Sequence, residues 1–154
     1  MRMLRIAAAA SLLLPLAAQA ANPVTCAKID RAQVVKLFDT WNATAMKGTP
    51  AQLAALYTDD AVLLPAVSNK PRYTKAQRIE FFSKFDQKRA VGHVDEHRVQ
   101  LGCNAAIDSG VYTLTLAQGG HVKARYTLVY VYDGKRWLIA NHHSSAMPSV
   151  HEPD

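Results

Sequence analysis

The sequence is short of cysteine, of clustered charge and of long apolar runs, and each shortage removes a class of function. Its two cysteines have no C-x-x-C spacing, which excludes a thioredoxin-like redox motif. No block of five like charges occurs, and the basic residues from Lys70 to Arg136 are scattered. A nucleic-acid surface is normally denser and interleaved with exposed aromatics, so no nucleic-acid partner is expected. Apart from one short apolar segment near the start, nothing approaches the roughly 20 apolar residues of a membrane span. What is present is ordinary for a globular protein: 154 residues, 49% apolar and 19% charged, with seven Gly and seven Pro. Disorder is excluded by that composition, and the length fits one domain.

The apolar segment reads as a secretory leader. Arg2 and Arg5 form a basic start, Ile6 to Leu16 is broken only by Ser11 and Pro15, and Ala18-Gln19-Ala20 is a small-x-small peptidase site. Residues 1–20 are therefore expected to be a signal peptide cut after Ala20, with 21–29 an N-terminal segment of the exported, periplasmic protein. No membrane contact is expected after cleavage. Loss of the two arginines lowers Lys+Arg from 18 to 16 against 12 acids, so net charge falls from +6 to +4. Mild basicity of this kind fits small anionic ligands or plain solubility. Cys26 and Cys103 both remain, and in an oxidising compartment an even pair predicts one structural disulfide. Its loop should be worth roughly 4 kcal/mol in the chain-entropy account.

Asp30 is placed to cap a helix running to about Lys47, with Val34, Leu37, Phe38, Trp41 and Ala45 on its apolar face. Thr49-Pro50 opens a short helix over Ala51 to Tyr57. Asp59-Asp60 reads as a turn, Ala61 to Leu64 as a buried strand, and 66–73 as a loop. Thr74 caps a third helix to about Lys88, buried through Ile79, Phe82 and Phe85. After Gly92 the period changes to two, and four strands follow: His93–Leu101, Ala105–Ala117, His121–Tyr132 and Arg136–Ser144. The order predicts an α+β domain with helices on one face of a curved, mainly antiparallel sheet.

Alternation in the last two strands groups Tyr126, Leu128, Tyr130, Tyr132, Trp137, Ile139, Asn141 and His143 on one face. Arg125, Thr127, Val129, Val131, Leu138, Ala140, His142 and Ser144 fall on the other. Neither face is plainly polar, as one solvated side of a sheet would require, which predicts a dimer or larger ring through the sheet's outer side.

The segments 63–72 (LLPAVSNKPR), 124–130 (ARYTLVY) and 137–148 (WLIANHHSSAMP) resemble bacterial relatives of the calmodulin-dependent protein kinase II association domain, within the SnoaL-like, nuclear transport factor 2-like superfamily. The resemblance covers residues 30–148 and leaves 149–154 as a tail. It implies a cone-shaped barrel, with a pocket between the long first helix and the concave sheet and rings formed through the convex sheet. It does not imply kinase activity, since the glycine-rich loop and catalytic aspartate motif are missing. The superfamily hosts isomerases, cyclases, dehydratases and non-catalytic binders, so fold alone leaves function open.

Within that frame the resemblance favours His143 and Ser145 as a recurring pair, His143 being a general base, an anion donor or a hydrogen-bonded structural histidine. Arg125 lies mid-strand, so it either pairs with an acid such as Asp60 or Glu96 or meets an anionic ligand. Strand parity sets Arg125 beside His142 rather than His143 unless a bulge intervenes. Trp41, Tyr57, Phe82, Tyr112 and Tyr126 are candidates for the pocket wall or for plain core. Asp60 is the candidate acid for proton transfer, against a backbone-capping role in the turn. His93-Val94-Asp95-Glu96-His97 matches H-x-x-E-H, but on a strand its histidines stand about 13 Å apart, too far for one zinc. Neither a metal nor a cofactor is implied. Asn42-Ala43-Thr44 is a glycosylation triplet in a helical setting. The leading expectation is an exported oligomer binding a small molecule, anionic in one reading. The rivals are a cofactor-free acid–base enzyme using His143 and Asp60, and a bare oligomerisation module.

Overall fold

Asp30 begins the first helix by a reciprocal cap: its carboxylate accepts from the Gln33 backbone N–H, and the Gln33 side chain accepts from the Asp30 N–H. In the computed structural model, which describes residues 24–86, 91–116 and 119–148, helix α1 (Arg31–Lys47) follows, burying Val34, Phe38, Trp41 and Ala45. These recur at three- and four-residue steps and lay one stripe of the helix across the concave side of the sheet. The expected leader, the tail 149–154, and Lys88 and Ala117 lie outside the described residues, as does the side chain of Phe85.

A second reciprocal cap, Thr49 with Gln52, opens α2 (Pro50–Ala54). It ends before Tyr57, which instead starts β1 (Tyr57–Leu64). The short-helix expectation was therefore three residues too long, and Asp59-Asp60 belongs to the strand rather than to a turn before it. Helix α3 (Lys75–Asp86) is followed by β2 (Val91–Gly102), β3 (Ala105–Thr115), β4 (His121–Tyr132) and β5 (Trp137–Ala146). The five strands form one curved sheet ordered β1-β5-β4-β3-β2. Every pairing is antiparallel except β1 with β5, which is parallel. The sheet is not closed, so the expected α+β cone is an open one, with α1 across its mouth.

Three interruptions of register shape it. In β5 the pairing jumps from Val129↔Asn141 to Tyr130↔Ile139, leaving Ala140 as an extra residue. In β2 a shift falls between Val94 and Glu96. There the backbones crowd so closely that a Cβ on Gly110 would stand 1.9 Å from the Glu96 carbonyl oxygen. Since that neighbour is backbone, Gly110→Ala should destabilise the fold by about 3 kcal/mol, read as a lower urea midpoint. An unchanged midpoint would contradict the close approach. The third shift, in β1 between Tyr57 and Val62, is filled by Arg78 of α3.

Cys26 and Cys103 are disulfide-bonded. Asn42 is engaged by two hydrogen bonds with Gly92, one to its carbonyl (2.8 Å) and one from its N–H (2.9 Å). They tie α1 to β2 and occupy the amide of the glycosylation triplet.

Candidate functional site

Between α1, α3 and the concave side of β3 and β5 lies a small apolar cavity of about 30 Å³. Trp41, Leu63, Phe82 and Tyr112 wall it, Pro65, Ala66, Val67 and Phe81 line its approach, and His142 and Ser144 supply its polar atoms. Of the expected pocket aromatics, Trp41, Phe82 and Tyr112 line this space. Tyr57 is buried behind it, and Tyr126 is buried farther along the sheet beside Asp108. Together with Phe38, stacked on Trp41 at 5.9 Å and packed against Tyr126 at 6.0 Å, these rings form part of the core on the concave side of the sheet.

The polar floor is ordered by a chain of hydrogen bonds. Trp41 Nε1–H donates to the Tyr57 hydroxyl at 2.8 Å, and that hydroxyl lies 2.9 Å from His142 Nδ1. An indole N–H can only donate, so the Tyr57 oxygen accepts there and its own proton is free to go to His142. The opposite tautomer would leave a buried phenolic proton with no acceptor. His142 Nδ1 is therefore the acceptor, and a neutral ring carries its proton on Nε2. That Nε2–H is buried and makes no hydrogen bond among the described residues. Burial, helped by the neighbouring His143, lowers the His142 pKa to about 4, which keeps the ring uncharged at neutral pH. Burial also pushes the Tyr57 phenol far up. Ser144 Oγ accepts from the Ala66 N–H at 3.0 Å, fixing the loop after β1 over the cavity. Burial raises the Tyr112 phenol, and hydrogen bonding with Ser144 opposes the rise.

The depressed His142 value has a sign. The unfolded chain takes up a proton at this ring near pH 6.5 and the folded one only near pH 4, so acid favours unfolding. The contribution is whole above pH 6.5 and fades as pH falls toward 4, by about 3 kcal/mol at most. Asp108, whose carboxyl burial pushes up, works in the opposite sense. The measurement is therefore the difference in urea stability between parent and His142→Gln across pH 4–7, which should shrink toward acid. A constant difference would contradict the neutral buried ring.

Because Ala140 is the bulge, parity inverts after it. His142 and Ser144 face inward opposite Leu128 and Tyr126, while Asn141, His143 and Ser145 face outward. The expected face assignment is thus corrected for everything beyond Ala140. Arg125 and His143 do share a face, with Arg125 directly opposite Ser145, but it is the outer one. Arg125 and His143 are exposed, and Ser145 is partly covered. Asp60 is exposed within the β1 irregularity and does not line the cavity. Among the described residues Arg125 forms no ion pair with Asp60 or Glu96, and no cluster of three or more His, Cys, Asp or Glu side chains is arranged for a metal. The H-x-x-E-H run lies on β2, as its alternation implied.

The fold matches known proteins. The family model of the calcium/calmodulin dependent protein kinase II association domain matches residues 30–148. The chain belongs to that family. A solved Xanthomonas campestris protein described as such an association domain is 42% identical, with a TM-score of 0.74 over 84% of this chain and 99% of that one. An NTF2-like protein of unknown function from Pseudomonas putida is 16% identical, with a TM-score of 0.68 over 78% and 88%. A Novosphingobium aromaticivorans protein described as a scytalone dehydratase is 11% identical, with a TM-score of 0.65 over 75% and 82%. The last two show a shared fold alone. The comparison with curated proteins returned no match.

Sequence reasoning missed His142 and Ser144 as the inward pair, and it missed Asp108 and Arg78 altogether. The clue to the first was a single residue of bulge, for which Ala140 carries no local mark. Arg78 was hidden among the scattered cations of an exposed-looking helix.

Proposed function

We propose that this association-domain protein is an exported, self-associating binding protein that seats the hydrogen-bond acceptor of a small, largely apolar molecule against His142. The observation that carries the reading is the buried, unpartnered Nε2–H at the floor of an otherwise apolar cavity. A buried donor without a partner costs about 1–3 kcal/mol, which a ligand oxygen would recover. The cavity's roughly 30 Å³ admits about one oxygen-sized group. The rest of such a ligand would lie over Pro65, Val67 and Phe81. No Lys, Arg, Asp or Glu lines the space, so a neutral acceptor such as a ketone or ester fits better than an anion.

Export rests on the leader-like residues 1–20 and on a disulfide suited to an oxidising compartment. Self-association rests on the family and on the outer sheet face, where Leu64, Ile107, Val111, Val129 and Val131 are only partly covered. The acid–base enzyme reading loses support because neither His143 nor Asp60 reaches the cavity.

Cyclohexanone is a suitable probe of the cavity. It should shift the His142 Nε2–H resonance while benzoate does not, and His142→Phe should weaken ketone binding about tenfold. A ketone that leaves His142 unmoved and binds the variant equally well would overturn the ligand assignment. Native mass spectrometry of the secreted protein should give a dimer or larger ring lacking residues 1–20. A full-length monomer would contradict the other half.

A further inference from the structure

A second polar cluster lies away from the cavity, where the first turns of α1 face β2. Asp108 is 1% exposed, and a buried carboxylate is costly unless something pairs it. Its Oδ2 accepts from the Tyr126 hydroxyl at 3.2 Å. Its Oδ1 lies 3.3 Å from His97 Nδ1. The Tyr130 hydroxyl is also buried without a hydrogen-bond partner among the described residues, and burial, helped by the nearby Asp108 charge, raises its pKa. With Nδ1 turned in toward Asp108, the other edge of the His97 ring, carrying Nε2, turns out. It meets an open groove of about 410 Å³ lined by Arg31, Ala32 and Val35 of α1 and by His97, Arg98 and Val99 of β2.

Three features of the chain converge there. The β2 irregularity between Val94 and Glu96 resets the strand so that His97 stands opposite Gly110, where no side chain blocks the path inward to Asp108. Bulges commonly re-aim a side chain in this way beside functional sites. Arg31 and Arg98 line the groove and form no ion pair among the described residues. Arg31 also sits in the first turn of α1, directly after the capping Asp30 carboxylate, at a helix start where the dipole favours an anion. A buried carboxylate that orients an imidazole, beside a groove lined by two arginines that form no ion pair among the described residues, is the arrangement expected of an oxyanion receptor.

We propose that the α1–β2 groove is a second binding site, independent of the cavity, that takes a small oxyanion. Arg31 and Arg98 supply charge at its rim, and His97, held by Asp108, donates from Nε2. Asp108 is a positioning residue that does not touch the ligand. Its carboxylate, 3.3 Å from His97 Nδ1, orients the ring so that Nε2 meets the bound oxyanion.

Inorganic phosphate and succinate are the probes, the first reporting a phosphate site and the second a carboxylate site. Either should shift the His97 ring nitrogens in the processed, disulfide-bonded protein while leaving His142 unmoved. His97→Gln and Arg98→Ala should each weaken the better probe at least about tenfold. Asp108→Asn should weaken it too, and should change the His97 ring 15N pattern in the free protein, which a purely packing role would not do. If Asp108→Asn fails to fold, the two exposed variants still decide the matter. Probes that leave the His97 resonances unmoved at millimolar concentration, or bind both variants as they bind the parent, overturn the proposal.

Discussion

Replacing Arg78 by methionine should lower stability by about 4 kcal/mol, among the larger effects of a single substitution. Arg78 is fully buried, yet it forms no ion pair among the described residues. Its Nη1 donates to the Ala61 carbonyl at 2.5 Å, and its Nη2 to those of Thr58 and Asp59 at 2.7 and 3.0 Å. All three carbonyls fall in the stretch where β1 slips register against β5. The guanidinium therefore does the work of a missing strand, satisfying acceptors the ladder leaves behind. It also lies 5.7 Å from the centre of the Tyr57 ring, on which the His142 chain depends. Methionine keeps the length and loses every donor, stranding acceptors at about 1–3 kcal/mol each, less whatever water reaches Asp59. For a domain of this size the melting midpoint should fall by about 12 °C. Arg78→Lys should fall between the two, because one ammonium cannot span three carbonyls. A midpoint within about 2 °C of the parent would contradict the pinning role.

Removing the disulfide should have a comparable effect by another route. Cys26 and Cys103 close a loop spanning 77 residues, so the link mainly restricts the unfolded chain, by about 4 kcal/mol. The folded arrangement has its own supports. Asn104 accepts from the Ala27 N–H at 2.7 Å and donates to the Thr25 carbonyl at 3.3 Å. The Cys26→Ser, Cys103→Ser variant should therefore keep its fold and cavity while its urea midpoint drops. Its m-value should rise, because the uncrosslinked unfolded state exposes more surface. A midpoint insensitive to reduction would contradict this role.

The parts of the fold legible in sequence are those governed by local chemistry. The Asp30 cap and the spacing of Val34, Phe38, Trp41 and Ala45 announce α1, and alternation announces β4 from His121 to Tyr132. The cysteine pair was likewise readable from composition. What escaped depends on neighbours distant in the chain. β1 begins at Tyr57 because β5 and Arg78 supply partners there, so helix-like residues before Asp59 give way to a strand. Likewise the bulge at Ala140, set by pairing with β4, exchanges His142 for His143 at the pocket. Strand parity alone set Arg125 beside His142; the bulge brings Arg125, His143 and Ser145 to one face, which is turned away from the cavity.

The most direct measurement is the 15N chemical shift of each His142 ring nitrogen at neutral pH. The account predicts a neutral ring with its proton on Nε2 and Nδ1 receiving the Tyr57 hydroxyl. A proton on Nδ1, or a charged ring, would remove the cavity's donor and with it the proposed mode of binding.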